Sequence, residues 1–286
     1  MKLFNFDNAK TRKGEQLGYS TAILYLSPSD TSGIIDTCTH ATALCKALCL
    51  NTAGMAGIFP NIIASRKKKT AWLASNPETF WAKISREVQN HENLCYRNTK
   101  RLKRKLKPCV RINGTSDLWR MEMRLIMHRY PDVQFYDYTK DFERIVDWHM
   151  DKMPMNYHLT FSHSEKNLEE SKWCLANGIN VAVVFTNDGP LPSSWNGYEV
   201  IDGDKSDLRF LDAKVPYPNA LYVCRGVVIG LRAKGKAKKA IGKVNGFVNP
   251  TKNEYRGTKS LFRGVTWSNP IDGEQDEEQN NLHRYE

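Results

Sequence analysis

The chain has 286 residues, is 41% hydrophobic and 26% charged, and carries a formal charge of +11. That length supports one large domain or two small ones. No apolar run approaches the roughly 20 residues that cross a bilayer, and the opening MKLFNFDNAKTRKGEQ lacks the apolar stretch of a secretory signal, so the expectation is a cytoplasmic protein with no membrane partner.

In chain order, seven β-rich runs stand out: YSTAILYLS (19–27), PCVRING (108–114), VQFYDYT (133–139), YHLTFS (157–162), INVAVVFT (179–186), YEVIDGD (198–204) and VVIGLRA (227–233). Several are continuously apolar, as in strands covered on both faces. Helical stretches lie between them. Residues 70–94 divide at Asn76–Pro77, with Asn76 as a cap. Residues 116–131 start on a Ser116–Asp117 cap and stop before Pro131. Residues 142–153 follow, and then residues 164–178, which close on Gly178. This alternation predicts an α/β fold with a mainly parallel sheet, a TIM-like complete or partial (β/α) barrel over residues 1–270. The acidic tail 271–286 is expected to be disordered.

Cys38, Cys45 and Cys49 fall between the first two strand candidates, spaced C-x6-C-x3-C in the loop 38–57. In a reduced compartment, clustered cysteines argue for metal binding or catalysis, and seven cysteines do not pair evenly. Three thiolates on one loop suit three corners of a 4Fe–4S cluster, leaving one iron for a small molecule or a distant side chain. A helix starting near Ala43 would present Cys45 and Cys49 together, with Cys38 coming from the loop. Zinc is the rival metal, although no CxxC pair is present. Cys95, Cys109, Cys174 and Cys224 are isolated and read as core residues.

In a parallel barrel the reactive groups project from the carboxyl ends of the strands. Asp117, Asp137, Glu165 and Asp202 occupy four such ends and are candidate acid–base or ligand-orienting carboxylates. Asn113, Ser116, Lys140 and Lys234 at the same ends are candidates for holding a cofactor. The basic segments 66–69 and 97–107 could contact nucleotide or nucleic acid, or could form a solvated surface. The segment 232–239, RAKGKAKK, could hold phosphate but does not match a P-loop.

The stretches CTHATALCKALCLNTAGMAG, RINGTSDL, YPDVQFYDYTK, HLTFSHSE, NVAVVF, VIDGDKSDLRFLD and IGLRAKGKA resemble the radical S-adenosylmethionine (radical SAM) superfamily. More closely, they resemble the phage-encoded "gene product eighty-eight" type proteins. The resemblance implies a TIM-like barrel with a 4Fe–4S cluster on Cys38, Cys45 and Cys49. It also implies S-adenosylmethionine as a co-substrate, an electron donor, and a place in the host cytoplasm. The usual superfamily spacing is C-x3-C-x2-C, and no Gly-Gly-Glu segment is present here. Two functions follow from these readings: an enzyme acting on nucleotide or nucleic acid, or a non-catalytic iron–sulfur protein that binds nucleic acid or senses redox state.

Overall fold

All seven β-rich runs form strands, and helices carry the chain between successive parallel strands from the first run to the fifth. A computed structural model describes residues 1–102, 106–212, 215–216, 224–239 and 246–251. The amino-terminal half contains β1 (Phe4–Asn5), α1 (Ala9–Gln16), β2 (Tyr19–Leu24), α2 (Ala43–Ala47), α3 (Pro60–Ser75), α4 (Pro77–Leu102), β3 (Lys107–Arg111), α5 (Met121–Arg129), β4 (Gln134–Thr139) and α6 (Phe142–His149). The remainder contains β5 (Tyr157–Ser162), α7 (Leu168–Ala176), β6 (Val181–Phe185), β7 (Ser194–Trp195), β8 (Tyr198–Asp202), β9 (Val215–Pro216), β10 (Cys224–Arg225), β11 (Val228–Arg232), α8 (Lys236–Lys239) and β12 (Val248–Asn249). The acidic tail 271–286 and residues 103–105 of the basic segment 97–107 lie outside the described residues. Among the described residues, no helix is long and apolar enough to cross a membrane.

The main sheet has the order β1-β2-β3-β4-β5-β6-β11-β8-β7, with β12 also on β6. β2 through β6 are parallel in sequence order, and β11 and β8 continue the parallel set out of order. Among the described residues the sheet is open, so the α/β, mostly parallel character holds while the complete form of the expected complete or partial TIM-like barrel is not present. The reason lies at its two edges. β1 pairs antiparallel with the free edge of β2, and β7 does the same to β8. Each edge is occupied by a short local partner, so β2 and β8 do not pair with each other.

Alternation along each strand sorts the two faces. Leu24, Val110, Phe135, Leu159, Phe161 and Val183 join Leu73, Phe80, Ile84 and Met123 of the helices in the main core. The opposite face carries Cys109 and Tyr136, which pack with Leu208 and Phe210 from the segment after β8. That segment therefore lies across the sheet, and Asp207 reaches Arg111 of β3 and Lys10 of α1.

Two helix boundaries depart from expectation. The Asn76–Pro77 break is present, but the helices flanking it run from Pro60 to Leu102. α5 begins at Met121 instead of following a Ser116–Asp117 cap. Ser116 and Asp117 are committed elsewhere: Ser116 Oγ donates to Asn113 Oδ1 at 2.8 Å, and Asp117 pairs with Arg144. Gly178 closes the turn after α7 at φ +75°, the left-handed conformation that favours glycine.

Candidate metal centre at the carboxyl end of the sheet

The cysteine loop follows β2 and is tied to the ends of three further strands. Near β2 and β3, Thr37 Oγ1 donates to Ser27 O at 2.5 Å, and Asp117 N donates to Thr37 O at 2.8 Å. Beyond β5, Glu165 holds the start of α2. Thr42 Oγ1 donates to Glu165 Oε2 at 2.8 Å, and Leu44 N donates to Glu165 Oε1 at 3.3 Å. Thr42 is also the amino-terminal cap of α2, accepting from Cys45 N. Leu44, Cys45 and Leu48 pack against Ala233, Ala237, Phe247 and Val248, beside β11 and α8.

The three cysteines are free thiols, each half-buried. Ser29 N–H donates to Cys38 Sγ at 3.2 Å, and Cys38 Sγ lies 3.8 Å from Thr115 O. Asn51 N–H points at Cys49 Sγ at 3.5 Å. Burial pushes the Cys38 thiol up to about 11, against the Ser29 N–H, with Asp117 and Cys49 adding to the rise. Burial also raises Cys49, with Cys45 adding to it, while the Asn51 N–H, Arg66 and Lys140 draw it back. α2 starts at Ala43 as the spacing suggested, but ends at Ala47. Cys49 therefore projects from the short 3-10 turn that follows, not from the face of α2.

Among the described residues, no three His, Cys, Asp or Glu side chains converge on one point as ligands of a single ion. A lone tetrahedral zinc requires such convergence. Backbone N–H groups aimed at sulfur suit cluster ligands, whose charge they offset. The three thiols are the donor type such a cluster takes, and backbone N–H groups point at two of them.

The other candidate residues occupy the same end of the sheet, at or just beyond the carboxyl ends of parallel strands, with distinct partners. Asp117 accepts from Arg144 Nη2 and from Lys140 N at 2.8 Å. Asp137 is 1% exposed and accepts from Asn113 N at 2.8 Å, Asn113 Nδ2 at 3.1 Å and Tyr157 OH at 3.3 Å. Burial raises its carboxyl to about 6, against the pull of Arg111 and Arg144. Asn113 is itself consumed: its side chain also bonds Ser116 and both backbone groups of Leu118. Asp202 pairs with Arg232 at 3.1 Å, and Lys234 pairs with Asp204. Lys140 Nζ donates to Ser162 Oγ at 2.7 Å.

Three features fall outside the sequence reading. Arg66, counted within a basic run, is 8% exposed and donates from Nη1 to Asn51 Oδ1. Lys69 of the same run donates to Leu3 O at 2.6 Å and is also buried. Asp207 gathers Lys10, Arg111 and the Tyr136 hydroxyl on the sheet face beneath the loop. Burial alone would raise its carboxyl, but Lys10 and Arg111 hold it well below the usual range. The isolated cysteines behave as packing residues: Cys95, Cys109 and Cys174 are buried, and Cys224 is half-buried.

A family model described as gene product 88 matches residues 2–245, and the chain belongs to that family. No curated protein and no solved structure matches.

Proposed function

We propose that the chain is an iron–sulfur protein whose cluster sits on Cys38, Cys45 and Cys49. In this reading the cluster serves chemistry on a small molecule at the carboxyl end of the open sheet. The observation that carries the reading is the anchoring of a three-thiol loop across the ends of β2, β3 and β5, with N–H groups aimed at two sulfurs. A loop held at several points keeps ligands in place before metal arrives, which a loop of incidental thiols does not require. When bound, the cluster supplies one-electron chemistry and an iron without a thiolate. S-adenosylmethionine is the co-substrate that the superfamily resemblance suggests for that iron.

The chain's own residues then have separable tasks. Thr37, Asp117 and Glu165 position the loop. Ser29 and Asn51 direct N–H groups to sulfur. Asp137 and Asn113 shape the turn after β3 from within. Protein purified without oxygen should contain iron and acid-labile sulfide. Cys38→Ala, Cys45→Ala or Cys49→Ala should each abolish both, and Cys224→Ala should not. Stoichiometric zinc without sulfide would overturn the proposal. An electron paramagnetic resonance spectrum of the reduced cluster that S-adenosylmethionine leaves unchanged would separate a non-catalytic cluster protein from an enzyme.

A further inference from the structure

α5 packs against α4 and turns Met123, Ile126 and Met127 into the main core. Its other side is left in solvent, with Met121 64% and Leu125 61% exposed. Between the two helices lies a groove of about 180 Å³, lined by Trp81 and Ser85 of α4 and by Glu122, Leu125, Ile126 and Arg129 of α5. The four α5 residues stand at i, i+3, i+4 and i+7. That is the arrangement of a hole that takes one side chain from a facing helix. Its two ends carry opposite charges, Glu122 in the first turn of α5 and Arg129 in the last. The Arg129 guanidinium carbon lies 6.0 Å from the centre of the Tyr130 ring. Among the described residues, neither Arg129 nor Glu122 forms an ion pair. An exposed leucine, a hole for an apolar side chain and one unpaired charge of each sign thus share one short helix.

We infer that this face pairs with the same face of a second copy of the chain, α5 against α5 in antiparallel order about a twofold axis. The hole is centred between Leu125 and Ile126. A twofold axis at that level brings Leu125 of each copy to the hole of the other, within about 1 Å along the helix at a rise of about 1.5 Å per residue. Glu122 and Arg129 are equally far from that centre, so the same axis sets Glu122 of each copy against Arg129 of the other. Parallel pairing would set Glu122 against Glu122 and Arg129 against Arg129, so charge selects the antiparallel order. Leu125 is both the inserted side chain and a wall of the hole, which is the self-complementarity a twofold contact requires. A partner of another sequence would need an apolar side chain flanked by the reversed charges at the same spacing, and this chain already presents that set. α5 has nine residues, well short of the roughly 20–30 a side in standard interfaces, so the pairing is weak and concentration-dependent. The inference goes beyond the cluster reading and does not depend on it.

Sedimentation velocity of the full chain, from low micromolar to several hundred micromolar, tests it. The weight-average sedimentation coefficient should rise from the monomer value toward the dimer value across that range. Leu125→Glu should hold the protein at the monomer value throughout, with a melting temperature near wild type because the position is exposed. Glu122→Arg and Arg129→Glu should each weaken association at least tenfold, since each sets like charges together at both symmetric contacts. The double variant Glu122→Arg/Arg129→Glu should return to within about threefold of wild type, because the exchange restores both pairs. A second charge change does not rescue a misfolded chain, so recovery in the double variant marks a contact and not a folding effect. Met150→Glu, at an equally exposed apolar position after α6, should change nothing. A wild-type chain that stays monomeric over the whole range would overturn the inference and leave the groove to a different partner. Association that Leu125→Glu leaves intact would also overturn it, as would a double variant no better than either single one.

Discussion

Asp207→Asn is the most informative single change to the frame beneath the loop. Asp207 accepts from Lys10 Nζ at 3.0 Å, Arg111 Nη1 at 2.9 Å and Tyr136 OH at 3.3 Å. Arg111 and Asp207 are 7% and 8% exposed, so water does not replace what the carboxylate supplies. Removing one partner of a buried pair costs about 3–5 kcal/mol. The amide keeps one acceptor oxygen, which places this variant near the lower end. At about 2–4 °C per kcal/mol, the melting temperature should fall by roughly 6–12 °C. Urea unfolding should show a lower midpoint with an unchanged slope. Because the folded carboxyl titrates well below its unfolded value of about 3.9, its stabilisation is present above that pH and is lost as pH falls through the folded value. The gap between wild type and variant should therefore close in acid. The double variant Arg111→Met/Asp207→Leu should recover most of the loss, since an apolar pair needs no counter-charge. A loss under about 1 kcal/mol for Asp207→Asn would refute the account of the segment after β8 as an electrostatic strap.

Glu165→Ala should remove both hydrogen bonds to the start of α2 at a local cost of about 1–2 kcal/mol, read as a several-fold rise in proteolytic nicking within residues 38–59. Unchanged nicking would deny Glu165 its anchoring role. Burial lowers His163 to about 4, with Ser171 Oγ 3.0 Å from Nδ1, so the neutral ring is the folded form. Its contribution should be complete above the unfolded value of about 6.5 and lost as pH falls toward 4. His163→Gln should flatten that limb of the stability curve, and an identical slope in the variant would contradict the assignment. If the run 66–69 contacts nucleic acid, only Lys67 and Lys68 are exposed to do so. Lys67→Glu/Lys68→Glu should then weaken binding equally for unrelated sequences and reduce the salt slope by about 2; salt-independent binding would assign these lysines to solvation.

The seven principal strands were legible as short β-rich runs between turn and helix signals, several of them continuously apolar as in strands covered on both faces. The open edges were not. β1 and β7 are two residues each, too short for any periodicity, yet their pairing decides that the sheet stays open. The start of α5 was misplaced because Ser116 and Asp117 look like a cap, and only the fold reveals that Asn113 and Arg144 claim them. The burial of Arg66 did leave a signal. Arg66, Lys69, Thr70 and Leu73 are the buried positions of α3, and their spacing of i, i+3, i+4 and i+7 marks one helix face. Four consecutive basic residues obscured it, because charge was read ahead of period. The cysteine spacing located the loop and the start of α2, but not the 3-10 turn that redirects Cys49.

The partners of the polar strand ends bear on which chemistry the site favours. Acid–base catalysis needs a carboxyl that is both reachable and unspent. Asp117 is bound by a guanidinium and a backbone N–H, Asp137 by three donors in the interior, Glu165 by the start of α2, and Asp202 by Arg232 and the Asp204 N–H. Each carboxylate is thus engaged in fixing a turn or a loop. Among the described residues, the buried Arg66 and Lys69 form no ion pair with a carboxylate. Replacing Asp137 by Asn should therefore disturb the turn at Asn113 and the loop above it, and affect activity only through that displacement. Retention of iron by Asp137→Asn with complete loss of turnover would reverse this view and return a proton-transfer role to that carboxylate.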